Sequence, residues 1–119
     1  MSKKKVHCYL RAERRAWGLT QNELACLVGR GGRNRVSRVE LGQVQPDGRE
    51  TLAYSLIFGS RPAKFFPQLC EDTEDAIMRG VAQLEKKLRK DESIKADRKR
   101  ELLDLIGARA TSKASLTEV

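Results

Sequence analysis

The sequence predicts an all-α protein, and three observations predict it. Thr20 followed three residues later by Glu23 is a capping box, in which hydroxyl and carboxylate satisfy orphan amides at a helix start. Gly29, Gly31 and Gly32 then separate two segments whose apolar residues have helical spacing. Farther on, Ile77, Val81, Leu84 and Leu88 step by four, three and four, the rhythm of a helix with a lateral seam.

Taken in order, residues 1–8 form a basic arm with Lys3, Lys4 and Lys5, followed by a helical segment, LRAERRAWG. A second helix starts at Gln21, with Leu24, Ala25, Leu27 and Val28 as its apolar stripe and Cys26 beside it as a small core residue, and stops at the glycines. A third runs from Arg33 with Val36, Val39 and Leu41 inward and closes at Gly42, which leaves Arg33, Asn34, Arg35, Ser37 and Arg38 facing outward. Pro46-Asp47-Gly48 is a turn. RETLAYSLIFG is a fourth helix with Leu52, Leu56, Ala53 and Ile57 toward the core, ended by Gly59, and Pro62 sits in the first turn of the next. Pro67 marks either a break or a fresh start.

Residues 69–110 form a helical extension. Its first part, Glu71 to Lys90, is a long helix, and its second, Ala96 to Ala108, carries Leu102, Leu103, Leu105 and Ile106. Ile77, Val81, Leu84 and Leu88 with Leu102, Leu103 and Ile106 serve either as a dimer interface or as packing within the extension. Residues 111–119 have little to pack and form a disordered tail.

Charge is unevenly divided. Through Gln68 there are 13 Lys and Arg against 5 Asp and Glu, a net of +8; from Leu69 onward 11 basic residues meet 11 acidic ones, a net of 0. A positive field on the first part favours a polyanion and salt-sensitive binding. Three Phe, two Tyr and one Trp are too few for base stacking on single strands to be the main mode. No segment approaches the ~20 apolar residues of a membrane span, and VHCYL is too short for the apolar core of a secretion signal, so the expectation is a cytoplasmic protein with no membrane partner. Cys8, Cys26 and Cys70 are odd in number and widely spaced, which favours reduced thiols. His7 has no partner cluster, so no metal, no cofactor and no catalytic role is expected.

The outward face of the third helix suits base reading. Arg can grip guanine O6 and N7 with two bonds, and Asn can do the same to adenine N6 and N7. No acid interrupts that face between Arg30 and Arg38.

These residues resemble the XRE-type family, the helix-turn-helix of lambda-like phage repressors and Cro proteins. The resemblance spans residues 9–68 and rests on LRAERRAWGLTQNELACLVG, on VSRVELG, and on the Pro46 region with LAYSLIFG. It implies a five-helix DNA-binding domain anchored by Phe65 and Phe66. It also implies base contacts from Arg33, Asn34 and Arg38, phosphate contacts from Gln21, Arg30, Arg35 and Ser37 with Lys3, Lys4 and Lys5 of the arm, and a structural ion pair between Arg14 and Glu40. The turn after Gly29 is about one residue longer than most members need, which affects the register of the reading residues. The function implied is a dimeric, sequence-specific regulator of transcription, a repressor on an inverted-repeat operator in double-stranded DNA. Two other readings stand beside it: an antitoxin-type protein whose C-terminal helices bind an operon-encoded partner, and an RNA-binding regulator using the run from Lys86 to Arg100.

Overall fold

The computed structural model describes residues 8–112 and Leu116. Among these residues all regular structure is helical: α1 (Leu10–Ala16), α2 (Gln21–Val28), α3 (Gly32–Glu40), α4 (Gly48–Phe58), α5 (Pro62–Phe65), α6 (Pro67–Leu88) and α7 (Ile94–Thr111). Pro67 is thus a fresh start. The chain divides into two compact units, one ending at Cys70 and one beginning at Glu71. The expectations for Lys3, Lys4 and Lys5 concern residues outside those described, and so does most of the disordered tail expected over 111–119, of which Thr111, the last residue of α7, Ser112 and Leu116 are described. No helix among the described residues is long and apolar enough to cross a membrane.

In the first unit, Leu10, Leu24, Ala25, Val28, Val36, Val39, Tyr54, Phe65 and Phe66 form one buried cluster drawn from α1 to α5 and the residue after it. Phe65 stacks at a tilt on Phe58 with ring centroids 5.6 Å apart, and Phe66 lies 5.9 Å from Tyr54. The Tyr9 amide donates to the Phe65 carbonyl at 2.8 Å, which ties the start of the unit to its end. Tyr54 is fully buried and its hydroxyl has no hydrogen-bond partner among the described residues. Burial first, and the Glu50 carboxylate next, raise its pKa above the ordinary tyrosine range.

Five apolar expectations are corrected here. Leu27 and Cys26 are exposed, because α2 buries the stripe Leu24, Ala25 and Val28 and these two lie to one side of it. Leu41 is also exposed, since α3 has ended at Glu40. The largest difference is in α4, where Leu52 and Leu56 are 74 and 86% exposed. Glu50 and Tyr54, four apart, point inward instead, with Ala53 and Ile57 partly buried alongside. Leu52 and Leu56 stand two residues after these, roughly 200° around the helix. A buried acid at the centre of the inner face hid the true stripe.

The second unit is a helical hairpin. Val81 and Leu88 of α6 pack with Ala96 and Leu103 of α7, and Met78 and Ile106 lie partly buried against them. Ser93 caps α7, its hydroxyl accepting from the Ala96 amide at 3.1 Å. Arg100 reaches back to the Leu88 carbonyl at 2.5 Å and to the Asp91 carbonyl, satisfying acceptors at the C-terminal end of α6. Val81, Leu88, Leu103 and Ile106, expected in a dimer interface, therefore close the hairpin on itself. Ile77, Leu84 and Leu102 remain exposed.

Candidate nucleic-acid interface

The geometry around α3 begins with the turn that precedes it. Gly29 ends α2 at φ +81°, its amide donating to the Ala25 carbonyl at 2.9 Å. Gly31 opens α3 at φ +83°, and a β-carbon there would lie 2.8 Å from Cβ and Cγ of Arg35. Both positions need the left-handed region, and Gly31 in addition needs hydrogen in place of a side chain. The Arg49 guanidinium donates to the Val28 carbonyl at 3.0 Å and so covers the end of α2 from α4.

Val36 and Val39 seat α3 on the core, each 1% exposed. The opposite face presents Arg33, Asn34 and Arg38 to solvent, with Ser37 half-buried at its edge. Of the residues expected at base edges, all three therefore lie on the free side of one helix.

A hydrogen-bonded chain runs from the core to that face. Arg14 holds Glu40 with two bonds, Nε to Oε2 at 2.6 Å and Nη2 to Oε1 at 3.1 Å, and its Nη1 donates to the Leu19 carbonyl at 2.7 Å. Both side chains are about nine-tenths buried or more, at 10 and 1% exposure. Gln21 Nε2 donates to the same Glu40 Oε1 at 3.1 Å, and Arg33 Nε donates to Gln21 Oε1 at 3.3 Å. A carboxylate only accepts and a guanidinium only donates, so these two neighbours fix which way the Gln21 amide points.

Beside this chain lies an open groove of about 690 Å³, lined by Arg11, Arg14, Arg15 and Arg33 with Gly18 to Asn22, Ser37, Glu40 and Leu41. Its one acid is already held by Arg14. The N-terminus of α2 opens into it, where the amides of the first turn precede any intrahelical acceptor. Thr20 and Glu23 complete the capping box at this end: the Glu23 amide donates to the Thr20 hydroxyl at 3.1 Å and the Thr20 amide to the Glu23 carboxylate at 2.9 Å. Those bonds, the Thr20 amide foremost, hold the Glu23 carboxyl below the usual range. The groove combines oriented amides with guanidinium groups, an arrangement suited to a phosphate oxygen.

Arg11 and Arg15 were not singled out from the sequence. Their spacing of four around Arg14 places them on a helix surface next to the buried pair, and that signal was available.

Arg35 and Arg30 differ from expectation. Arg35 does not face outward: Nε donates to Glu50 Oε2 at 2.8 Å and Nη2 to Oε1 at 2.6 Å and to the Gln45 carbonyl at 3.0 Å. Glu50 is 1% exposed and also receives the Asp47 amide at 2.9 Å in the capping box of α4. Arg35 thus joins α3 to the start of α4, a fold-holding role that the sequence reading did not assign to it. Arg30 is ion-paired with Asp47 at the surface. An exposed pair of this kind is weak and exchangeable, so Arg30 remains accessible to an anion.

Comparison with family models, with curated proteins and with solved structures found no match to the chain.

Proposed function

We propose that the protein is a sequence-specific double-stranded DNA-binding regulator of the lambda-repressor-like, XRE-type class, acting in the cytoplasm as a dimeric repressor on an inverted repeat. The observation that carries this reading is the free face of α3. Arg33, Asn34 and Arg38 project from a helix seated by Val36 and Val39, beside a cationic groove at the N-terminus of α2. In the proposed complex α3 enters the major groove, Arg33 and Arg38 take guanine edges and Asn34 an adenine edge. The phosphate of one strand sits at the start of α2 against Gln21, Ser37, Arg11 and Arg15, and Arg30 exchanges Asp47 for a second phosphate. Gln21 then has two duties, holding Arg33 and meeting the backbone.

A dimer follows from the energetics of reading. One recognition helix reads only a few base pairs, whereas two related by a two-fold axis read half-sites about 34 Å apart with specificity enough for a single site.

Selection of bound duplexes from a random pool at near-physiological salt, followed by sequencing, tests the proposal. Enrichment of an inverted repeat is the expected result. Retention of duplexes with no shared motif would reduce α3 to an electrostatic anchor and overturn sequence-specific reading.

A further inference from the structure

Folding sorts the charges of the hairpin lengthwise. From Leu69 onward the net charge is 0, yet Lys86 to Arg100, where α6 turns into α7, holds 8 Lys and Arg against 3 Asp and Glu, a net of +5, and residues 69–85 hold 1 against 5, a net of −4. Of the 8 cations, Arg100 is engaged within the unit, on Asp97 at 2.8 Å and on the Leu88 and Asp91 carbonyls. The other seven are exposed, and none has an ion-pair partner among the described residues.

A second division runs around the helices. On a helical projection centred on the buried Val81, Leu88, Ala96 and Leu103, Lys87 of α6 and Lys95, Arg98 and Lys99 of α7 fall on one flank of the hairpin, and Glu85, Asp97, Glu101 and Asp104 fall on the other. The acidic flank is also visible as a groove of about 250 Å³ that Glu85 and Asp104 line with Arg100. No acid of α6 after Ala76, and none of α7, projects to the basic flank. Asp91, in the loop, is the acid beside Lys99, and it accepts from the Ser93 amide at 2.9 Å. Antiparallel packing sets Lys87 level with the first turns of α7, so the four cations gather on one side. A surface that only keeps a protein in solution mixes the two signs. Here acids stand on the same turns and are placed opposite, which leaves like charges side by side and a strip whose complement is a polyanion.

We propose that the flank formed by Lys87, Lys95, Arg98 and Lys99 is a second nucleic-acid contact, separate from α3, which grips the phosphate backbone of duplex DNA without reading its sequence. The proposal rests on the DNA-binding reading above, which brings duplex phosphate to the chain, and assigns part of the affinity to a unit whose net charge hides it. Lysine and arginine on a helix flank meet phosphate as point charges, and each contact releases a counterion. No aromatic residue follows Phe66, so the flank offers no platform for the bases of a single strand.

Anisotropy titration of a scrambled DNA duplex with the full chain, between about 50 and 200 mM salt, tests it. Lys87→Gln with Lys95→Gln removes two cations of the flank. Arg79→Gln with Lys86→Gln removes two exposed cations from other sides of α6 and changes the net charge equally. All four positions are exposed, and circular dichroism checks that each chain keeps its helical signal. The expected result for the first pair is a plot of log K against log salt shallower by about 1.8, with affinity down about tenfold or more at the low-salt end. The second pair leaves the slope within about 0.5 of wild type. Equal changes from both pairs would reduce the effect to overall charge, and an unchanged slope in the first would remove the contact; either overturns the proposal. A larger change on duplex RNA of the same length than on DNA would assign the flank to RNA and overturn it too. The scrambled duplex makes the result independent of base reading by α3. A wild-type chain that binds no duplex sinks the DNA-binding reading and this proposal together, whereas wild-type binding that the first pair leaves intact sinks this proposal alone.

Discussion

Replacing Arg14 by methionine removes a guanidinium from a carboxylate that is 1% exposed, while keeping most of the aliphatic packing. The variant loses the 2.6 and 3.1 Å bonds to Glu40 and the 2.7 Å bond to the Leu19 carbonyl, and Glu40 keeps only the Gln21 amide. Breaking one side of a buried pair costs about 3–5 kcal/mol, because an uncompensated charge stays inside. The surviving Gln21 bond places the expected loss near the lower end, about 3 kcal/mol, which for a domain of this size lowers Tm by roughly 12–24 °C. Removing the other charge as well, in Arg14→Met with Glu40→Leu, brings stability back to within about 1 kcal/mol of wild type. Gln21 is then without its carboxylate partner, so the double variant is stable but holds Arg33 less firmly. Urea unfolding followed by circular dichroism reads all three chains. A single-variant loss below about 1 kcal/mol, or a double variant costing the sum of both single changes, would refute this account of the pair.

Three further outcomes follow from the geometry. Gly31→Ala costs about 2–4 kcal/mol, combining left-handed backbone with the contact on Arg35, whereas Gly32→Ala, at φ +61° with nothing within 4 Å, costs about 1–2 kcal/mol; equal losses in urea melts would contradict the close approach. Leu52→Ser and Leu56→Ser each change stability by under about 0.5 kcal/mol while Tyr54→Ala costs about 3–5 kcal/mol, and the reverse order would mean that α4 is rotated from the position described. Glu23 has a folded pKa below its unfolded one, so its stabilisation is fully present above the unfolded value, about 4.3, and is lost as pH falls through the folded value. The stability difference between wild type and Glu23→Gln is therefore constant above about pH 5 and changes in favour of the variant on acidification, as urea midpoints at several pH values will read. A difference independent of pH down to 3 would show that the capping carboxylate is not held as described.

Much of the first unit is legible in the chain because its signals are local. Thr20 with Glu23 marks a helix start by themselves, and Gly29 and Gly31 mark a turn because few other residues tolerate their backbone. Exposure of Arg33, Asn34 and Arg38 follows from the positions of Val36 and Val39 alone. What sequence reasoning missed depends on partners distant along the chain. Arg35 has the spacing of an outward residue, and only the placement of Glu50, 15 positions away, turns it inward. Glu50 in turn displaced Leu52 and Leu56 from the core, since apolar periodicity counts a buried acid as a gap. In the hairpin, a single stripe of isoleucine, valine and leucine was readable, but its division between Val81 and Leu88 inside and Ile77 and Leu84 outside required the second helix to be in place.

The central claim is that the free face of α3 reads base sequence, and Asn34→Ala tests it most directly because Asn34 is exposed and its removal disturbs neither ion pair of the fold. Anisotropy titrations would compare both chains on a selected duplex and on a scrambled one at the same salt. The account predicts a loss of about 1–3 kcal/mol on the selected duplex and none on the scrambled one. Equal losses on both duplexes, or no loss on either, would contradict it.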